Sequence, residues 1–174
     1  MPFRLLPTLA VVLLCGCSSV EVLDYSDNQP KLDPQTFFDG ELNAHGVVKD
    51  RGGLVIRYFN ATIDASWENG IGTLHEEFLF DDGEEQIRIW TLAPNDEGGY
   101  DATAGDVVGV GDAQVAGNSM FLEYVLRVPY NDGTIDLAID DRMYLINDKV
   151  LVNESIMSKF GFEVGSILLT IIKN

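Results

Sequence analysis

The 174 residues hold 28 Asp and Glu against 11 Lys and Arg, a formal charge of −17, which argues against nucleic acid as a partner because phosphate contacts need the opposite sign. The two cysteines, Cys15 and Cys17, sit together near the N-terminus, so the body of the chain has no disulfide, cysteine nucleophile or thiolate metal site. The size suits one domain with a sizeable core, stabilised by packing alone.

Arg4 supplies the positive charge of a signal n-region, and Leu5 to Leu14 supply its apolar stretch. That stretch has the length of a secretory signal and is too short to span a bilayer. Leu14-Cys15-Gly16-Cys17 follows, and it resembles the lipobox of bacterial lipoproteins. The resemblance implies cleavage between Gly16 and Cys17, with diacylglyceryl attached to the Cys17 sulfur as a thioether. The freed amine would take a further acyl chain such as palmitate. Several chains, at about 0.8 kcal/mol per buried CH₂, exceed what stable anchoring needs. Ser18, where an Asp would favour retention at the inner membrane, resembles the signal for outer-membrane delivery. The expected location is therefore the periplasmic face of the bacterial outer membrane.

Residues 1–16 are thus read as a signal peptide, and 17–36 as an acylated N-terminus and flexible linker. Residues 37–174 are read as the folded domain. The mature chain would carry a charge of −18, since loss of Arg4 leaves 10 Lys and Arg against 28 acids. That sign disfavours close contact with an anionic membrane face and implies a body held off on its tether. Within the linker, Pro30 and Pro34 disfavour helix on their N-terminal sides.

From Phe37 the pattern is β nearly throughout. Leu54–Ile63, Leu74–Phe80, Ile87–Leu92, Val107–Val115, Met120–Val128, Thr134–Ile139, Met143–Ile146, Val150–Val152 and Ile167–Ile172 are rich in β-branched and aromatic residues. Asp82-Gly83, Asn95 to Gly99, Ala116-Gly117-Asn118, Asn131-Asp132-Gly133 and Asn147-Asp148 punctuate them as turns. Short, evenly spaced strands imply an antiparallel meander, and about eight to ten of them suffice to close a single barrel able to hold one small ligand. With Asp82-Gly83 as a two-residue loop, Phe78 would face Ile87 and His75 would face Trp90. Glu76, Phe78, Phe80, Glu85, Ile87 and Ile89 would then share the core face, and a loop one residue longer would flip one strand.

Asn153 as N-cap and Gly161 as C-cap outline one short C-terminal helix over 154–160, with Ile156, Met157 and Phe160 on its apolar side. It would have to dock, and the two-sided apolar segments Met143–Ile146 and Val150–Val152 need a cover.

Several short motifs run through the mature chain: Phe37-Phe38-Asp39-Gly40, Glu76-Glu77-Phe78, Arg88-Ile89-Trp90, Asp140-Asp141-Arg142-Met143-Tyr144-Leu145 and Met157-Ser158-Lys159-Phe160-Gly161. Together they resemble the uncharacterised bacterial lipoproteins grouped as domain-of-unknown-function family 3833. The resemblance implies a lipocalin-like β-barrel on a lipid tether with no established activity. Arg142 departs from the Trp expected at its place.

Candidate sites are few. His45 and His75 are the only histidines, neither belongs to a nucleophile–base motif, and both read as ordinary sheet or loop residues. Asp82, Asp96 and Asp132 fit turn chemistry without the spacing of a calcium loop, so neither metal nor cofactor is expected. Asp140-Asp141 reads as a β-bulge, with ligation at a barrel mouth as the alternative. Arg88 and Trp90, next to Glu77, read as a barrel-closing clasp, or else as a grip on a ligand headgroup. The functional expectation is a non-enzymatic binding module for a small apolar or amphipathic ligand such as a lipid or fatty acid. The alternative is a structural or assembly lipoprotein that meets an envelope protein partner through Met143–Val152.

Overall fold

The computed structural model describes residues 19–174. The expected signal sequence, Gly16–Cys17 cleavage point and Cys17 attachment site lie outside the described residues. Ten strands follow one another: β1 Gly40–Asp50, β2 Val55–Glu68, β3 Ile71–Phe80, β4 Glu85–Pro94, β5 Tyr100–Thr103, β6 Gly111–Ala116, β7 Ser119–Tyr130, β8 Gly133–Asn147, β9 Val150–Lys159 and β10 Phe162–Lys173. Each pairs antiparallel with its neighbour in sequence, and β10 returns to β1, so the meander closes into a barrel. Closure leaves no edge strand, although β4 pairs with β5 only over Thr91–Pro94. Among the described residues, all ten strands, their pairings and the buried core lie within one barrel.

Period-two burial explains the closure. On β2, Phe59, Ala61, Ile63 and Ala65 are buried while Asn60, Thr62, Asp64 and Ser66 are exposed. Strand β1 escapes a reading based on large apolar residues because its inward series is Leu42, Ala44, Gly46 and Val48. Gly46 is required to be small: a Cβ there would lie 2.4 Å from the Phe59 ring.

One end of the barrel is plugged. Helix α1, Pro34–Phe37, opens on Asp33, whose side chain accepts from the Gln35 N–H, and it drives Phe37 and Phe38 into the core beneath Leu42, Leu92, Met120 and Leu151. The Trp67 indole N–H donates to the Phe38 carbonyl at 2.7 Å. The stretch expected to be a linker is thus packed on the barrel, with Val22, Leu32 and Pro34 all buried. A 3-10 turn over Val22–Tyr25 brings Tyr25 onto the outer wall, 5.7 Å from the Phe121 ring and 5.3 Å from Tyr144. Tyr25 therefore covers part of the two-sided segment that seemed to need a helix or a protein partner.

The C-terminal helix is corrected to a strand. Residues 150–159 pair with β8 on one side and β10 on the other, with Leu151, Asn153 and Ser155 inward. Seven residues cannot nucleate a helix unaided, whereas two flanking strands satisfy each backbone group. Asn153 is no cap, and Gly161 serves with Phe160 as a hairpin turn, at φ 79° and 53°.

The β3–β4 register is also corrected. The Gly83 N–H donates to the Phe80 carbonyl at 3.0 Å, and the Phe80 N–H donates to Glu84 at 2.9 Å. The loop is therefore Asp81-Asp82-Gly83, with Gly83 left-handed at φ 85°. One extra residue moves every β4 side chain to the other face. Glu76 now faces Arg88 and Leu74 faces Trp90, while Ile87 and Ile89 are exposed.

No bulge occurs at Asp140-Asp141, where pairing with both β7 and β9 is unbroken; the irregularity on β8 lies between Leu145 and Asn147. The strand expected over Val107–Val115 begins only at Gly111, because Gly109 is left-handed at φ 80°. Short β5 and β6 leave the mouth-side halves of β4 and β7 apart. The 104–110 loop runs beside β7 there, with the Val108 N–H on the Val125 carbonyl at 2.8 Å and the Arg127 N–H on the Asp106 carbonyl at 2.8 Å.

Candidate functional site

Above the plug the barrel is hollow. A cavity of about 700 Å³ runs from Phe38 at its floor to Arg57, Glu84, Arg127 and Pro129 at its rim. That size lies within the roughly 300–1,000 Å³ typical of small-molecule sites. The walls are mostly apolar, with Phe59, Phe78, Leu122 and Leu169 among them, and small Ala44 and Ala61 create part of the space.

One polar island interrupts these walls. Glu76 from β3, Arg88 from β4, Tyr124 from β7 and Asp141 from β8 all line the cavity. Strand alternation puts each of them inside: Glu76 lies between Leu74 and Phe78, and Asp141 between Ile139 and Met143. Arg88 grips Asp106 on the 104–110 loop, with Nε at 3.1 and 3.0 Å from the two carboxylate oxygens and Nη2 at 2.7 Å. This two-pronged ion pair bridges the opening between β4 and β7. Beside it the Trp90 and Tyr124 rings meet edge to face, 5.1 Å apart.

Asp141 is buried, and its Oδ1 accepts from Ser155 Oγ at 2.8 Å and from the Asn153 amide. Burial pushes its carboxyl up to about 6, against the pull of those two donors. Burial likewise pushes Glu76 up to about 7, with the Arg88 charge drawing it down and the Asp141 charge driving it further up. The Tyr124 phenol is raised by burial and by the same carboxylates. The two carboxyls can hold or release protons near neutrality and can accept hydrogen bonds in a site largely shielded from bulk water, while the Tyr124 phenol stays protonated.

The residues singled out from sequence divide between two faces. Arg88, Trp90 and Asp141 line the cavity. Glu77 points outward, 3.7 Å from the equally outward His75. Asp140 is outward too, held by Arg142 at 2.9 and 2.7 Å. His45 is exposed and 2.7 Å from Asn60. Sequence reasoning missed Glu76, Asp106, Tyr124, Asn153 and Ser155 as site residues. Glu76 carried a signal, a carboxylate between Leu74 and Phe78 on a mostly apolar core face; the others carried none.

A shallower hollow of about 580 Å³ lies on the outside by the Pro94–Glu97 turn, with Asp96, Asp101 and Asp112 around it. Among the described residues no group of three His, Cys, Asp or Glu side chains could hold a metal ion.

No curated protein matches the chain. Among solved structures it is similar to an S-type phycobiliprotein lyase, CPES, from Guillardia theta, at 16% identity and a TM-score of 0.53 over 78% of this chain and 88% of that one. The similarity supports a lipocalin-like barrel. Residues 11–173 match the model of the family described as "Protein of unknown function (DUF3833)", and the chain belongs to that family.

Proposed function

We propose that this protein is an outer-membrane lipoprotein, anchored through acyl chains on Cys17, whose barrel holds one small amphipathic molecule facing the periplasm. The observation that carries the binding role is the cavity itself: apolar walls around one polar island, the usual composition of a ligand pocket. The solved neighbour is named a lyase. We nevertheless read this barrel as one that holds its ligand without converting it, because both histidines face outward, away from the island. Val22 is buried beside the β6–β7 turn at the plugged end. Four residues lie between it and Cys17, so the span is at most about 18 Å of extended chain. The plug would therefore sit toward the anchoring membrane and the mouth away from it.

Native mass spectrometry of residues 19–174 offered single-chain amphiphiles tests the binding role. One ligand per barrel is expected, and Ala61→Trp, which fills the space, should abolish it. A barrel that retains none of them would sink the reading. For the anchor, Cys17→Ser should release the chain from membranes; unchanged fractionation would sink that part.

One observation favours the second reading, an assembly lipoprotein. Phe160 and Phe162 on the β9–β10 turn are 88% and 66% exposed at the mouth, a costly placement unless something covers them. A photo-crosslinker at position 160 should then capture one dominant envelope protein; random neighbours would count against it.

A further inference from the structure

Charge inside the cavity does not balance. Arg88 spends Nε and one N–H of Nη2 on Asp106, so that pair is neutral as a unit. Glu76 and Asp141 remain, both facing the cavity. Asp141 takes its two protein hydrogen bonds on one oxygen, Oδ1. For Glu76 the neighbouring side-chain donor is the Trp90 N–H. A carboxylate has about four acceptor positions, so even beside the Tyr124 O–H and the Arg88 N–H groups not spent on Asp106, Glu76 and Asp141 can accept further hydrogen bonds from a ligand. A cationic donor placed between them gains charge-assisted hydrogen bonds, which are stronger than neutral ones.

We propose that the ligand carries a cationic, N–H-rich head, a protonated amine on a single apolar chain, received between Glu76 and Asp141 with the chain lying along the Phe59 and Phe78 wall. This rests on the ligand-binding reading above and narrows it. A free fatty acid, one of the ligands expected from sequence, is the wrong sign, because its carboxylate would enter a site that already holds two. The cavity of about 700 Å³ lies within the range of pockets that take one small molecule.

The test compares dodecylamine, dodecanol and dodecanoate on residues 19–174 at pH 8, read by Trp90 fluorescence in a Trp67→Phe background. The amine should bind at least about tenfold tighter than the acid, with the alcohol between them. Glu76→Gln with Asp141→Asn should erase that ratio while the barrel still melts cooperatively. The protein is strongly acidic overall, so Glu77→Gln with Asp140→Asn, which removes the same charge from the outer face, should leave the ratio in place. In the unaltered protein the ratio should also shrink at pH 5. The groups facing Glu76 are Arg88 on β4, Asp106 on the loop, Tyr124 on β7 and Asp141 on β8, and of these the carboxyls of Glu76 and Asp141 take up protons over that range.

If the acid binds as tightly as the amine at pH 8, or the ratio survives the inner double variant, the cationic-head inference is overturned and the binding role stands. If none of the three binds, both fall.

Discussion

Glu76 and Arg88 stand directly opposite one another on β3 and β4, yet Arg88 closes its two-pronged ion pair with Asp106 on a loop. Opposite charges at facing positions of an antiparallel pair ordinarily engage. Here the guanidinium is committed to holding the 104–110 loop against β4 across the opening left by short β5 and β6. The same residue thus seals the wall and leaves Glu76 without a full partner.

Removing the clasp should loosen that wall. Asp106→Ala is expected to cost about 1–3 kcal/mol in urea unfolding, the range for a charged hydrogen bond whose partner stays partly buried. It should also free Arg88 to pair with Glu76. A double-mutant cycle with Arg88→Met should give a coupling of about 1 kcal/mol or more. Additive losses would mean that the two side chains do not act together.

Glu76 makes stability depend on pH in a definite direction. Its folded value of about 7 lies above its ordinary 4.5, so the folded state binds the proton more tightly than the unfolded chain. The contribution is fully present below pH 4.5 and is lost as pH rises through 7. The full difference is about 3 kcal/mol. Asp141, raised from 3.8 to about 6, acts in the same sense over its own window. Glu76→Gln should therefore raise the melting temperature at pH 8 and have little effect at pH 4. A variant that melts lower at pH 8 would show that the ionised carboxylate is well compensated in the fold.

The N-terminal segment depends on a glycine. A Cβ at Gly117 would meet the Tyr25 carbonyl oxygen at 1.7 Å, and its φ is +57°. The Gly117 carbonyl also accepts from the Leu32 N–H at 2.8 Å. Gly117→Ala should detach residues 19–32 and expose them to limited proteolysis, with the barrel below remaining intact. Equal protease resistance in both proteins would contradict the docking.

Phe160 sits at φ 53° with its ring in solvent. Such a backbone costs a non-glycine residue about 1–2 kcal/mol, and Asn-Gly is the favoured pair for this turn. Phe160→Asn is expected to stabilise the isolated barrel by roughly 1 kcal/mol in chemical unfolding. A loss instead would show that the ring packs in solution and is not held out for a partner.

Much of the barrel is legible in the sequence. Alternation of apolar and polar residues with Asp-Gly and Asn-Asp turns specified antiparallel β, and Ile135, Leu137 and Ile139 carry straight through to Asp141 without the bulge that the acidic pair suggested. The candidate site was legible only in part. Arg88 and Trp90 stood out as types, but which way they point hinged on one residue in the Asp81–Gly83 loop.

Sequence alone set the β class, the meander order and the apolar face of most strands, because side-chain alternation and turn chemistry are local. It left open the inward turn of Arg88, the loop that Asp106 would bring, the union of Glu76 with Asp141, and the plug made from a supposed linker. Those depend on hairpin register and barrel closure, which join residues dozens of positions apart, and only the folded chain could decide them.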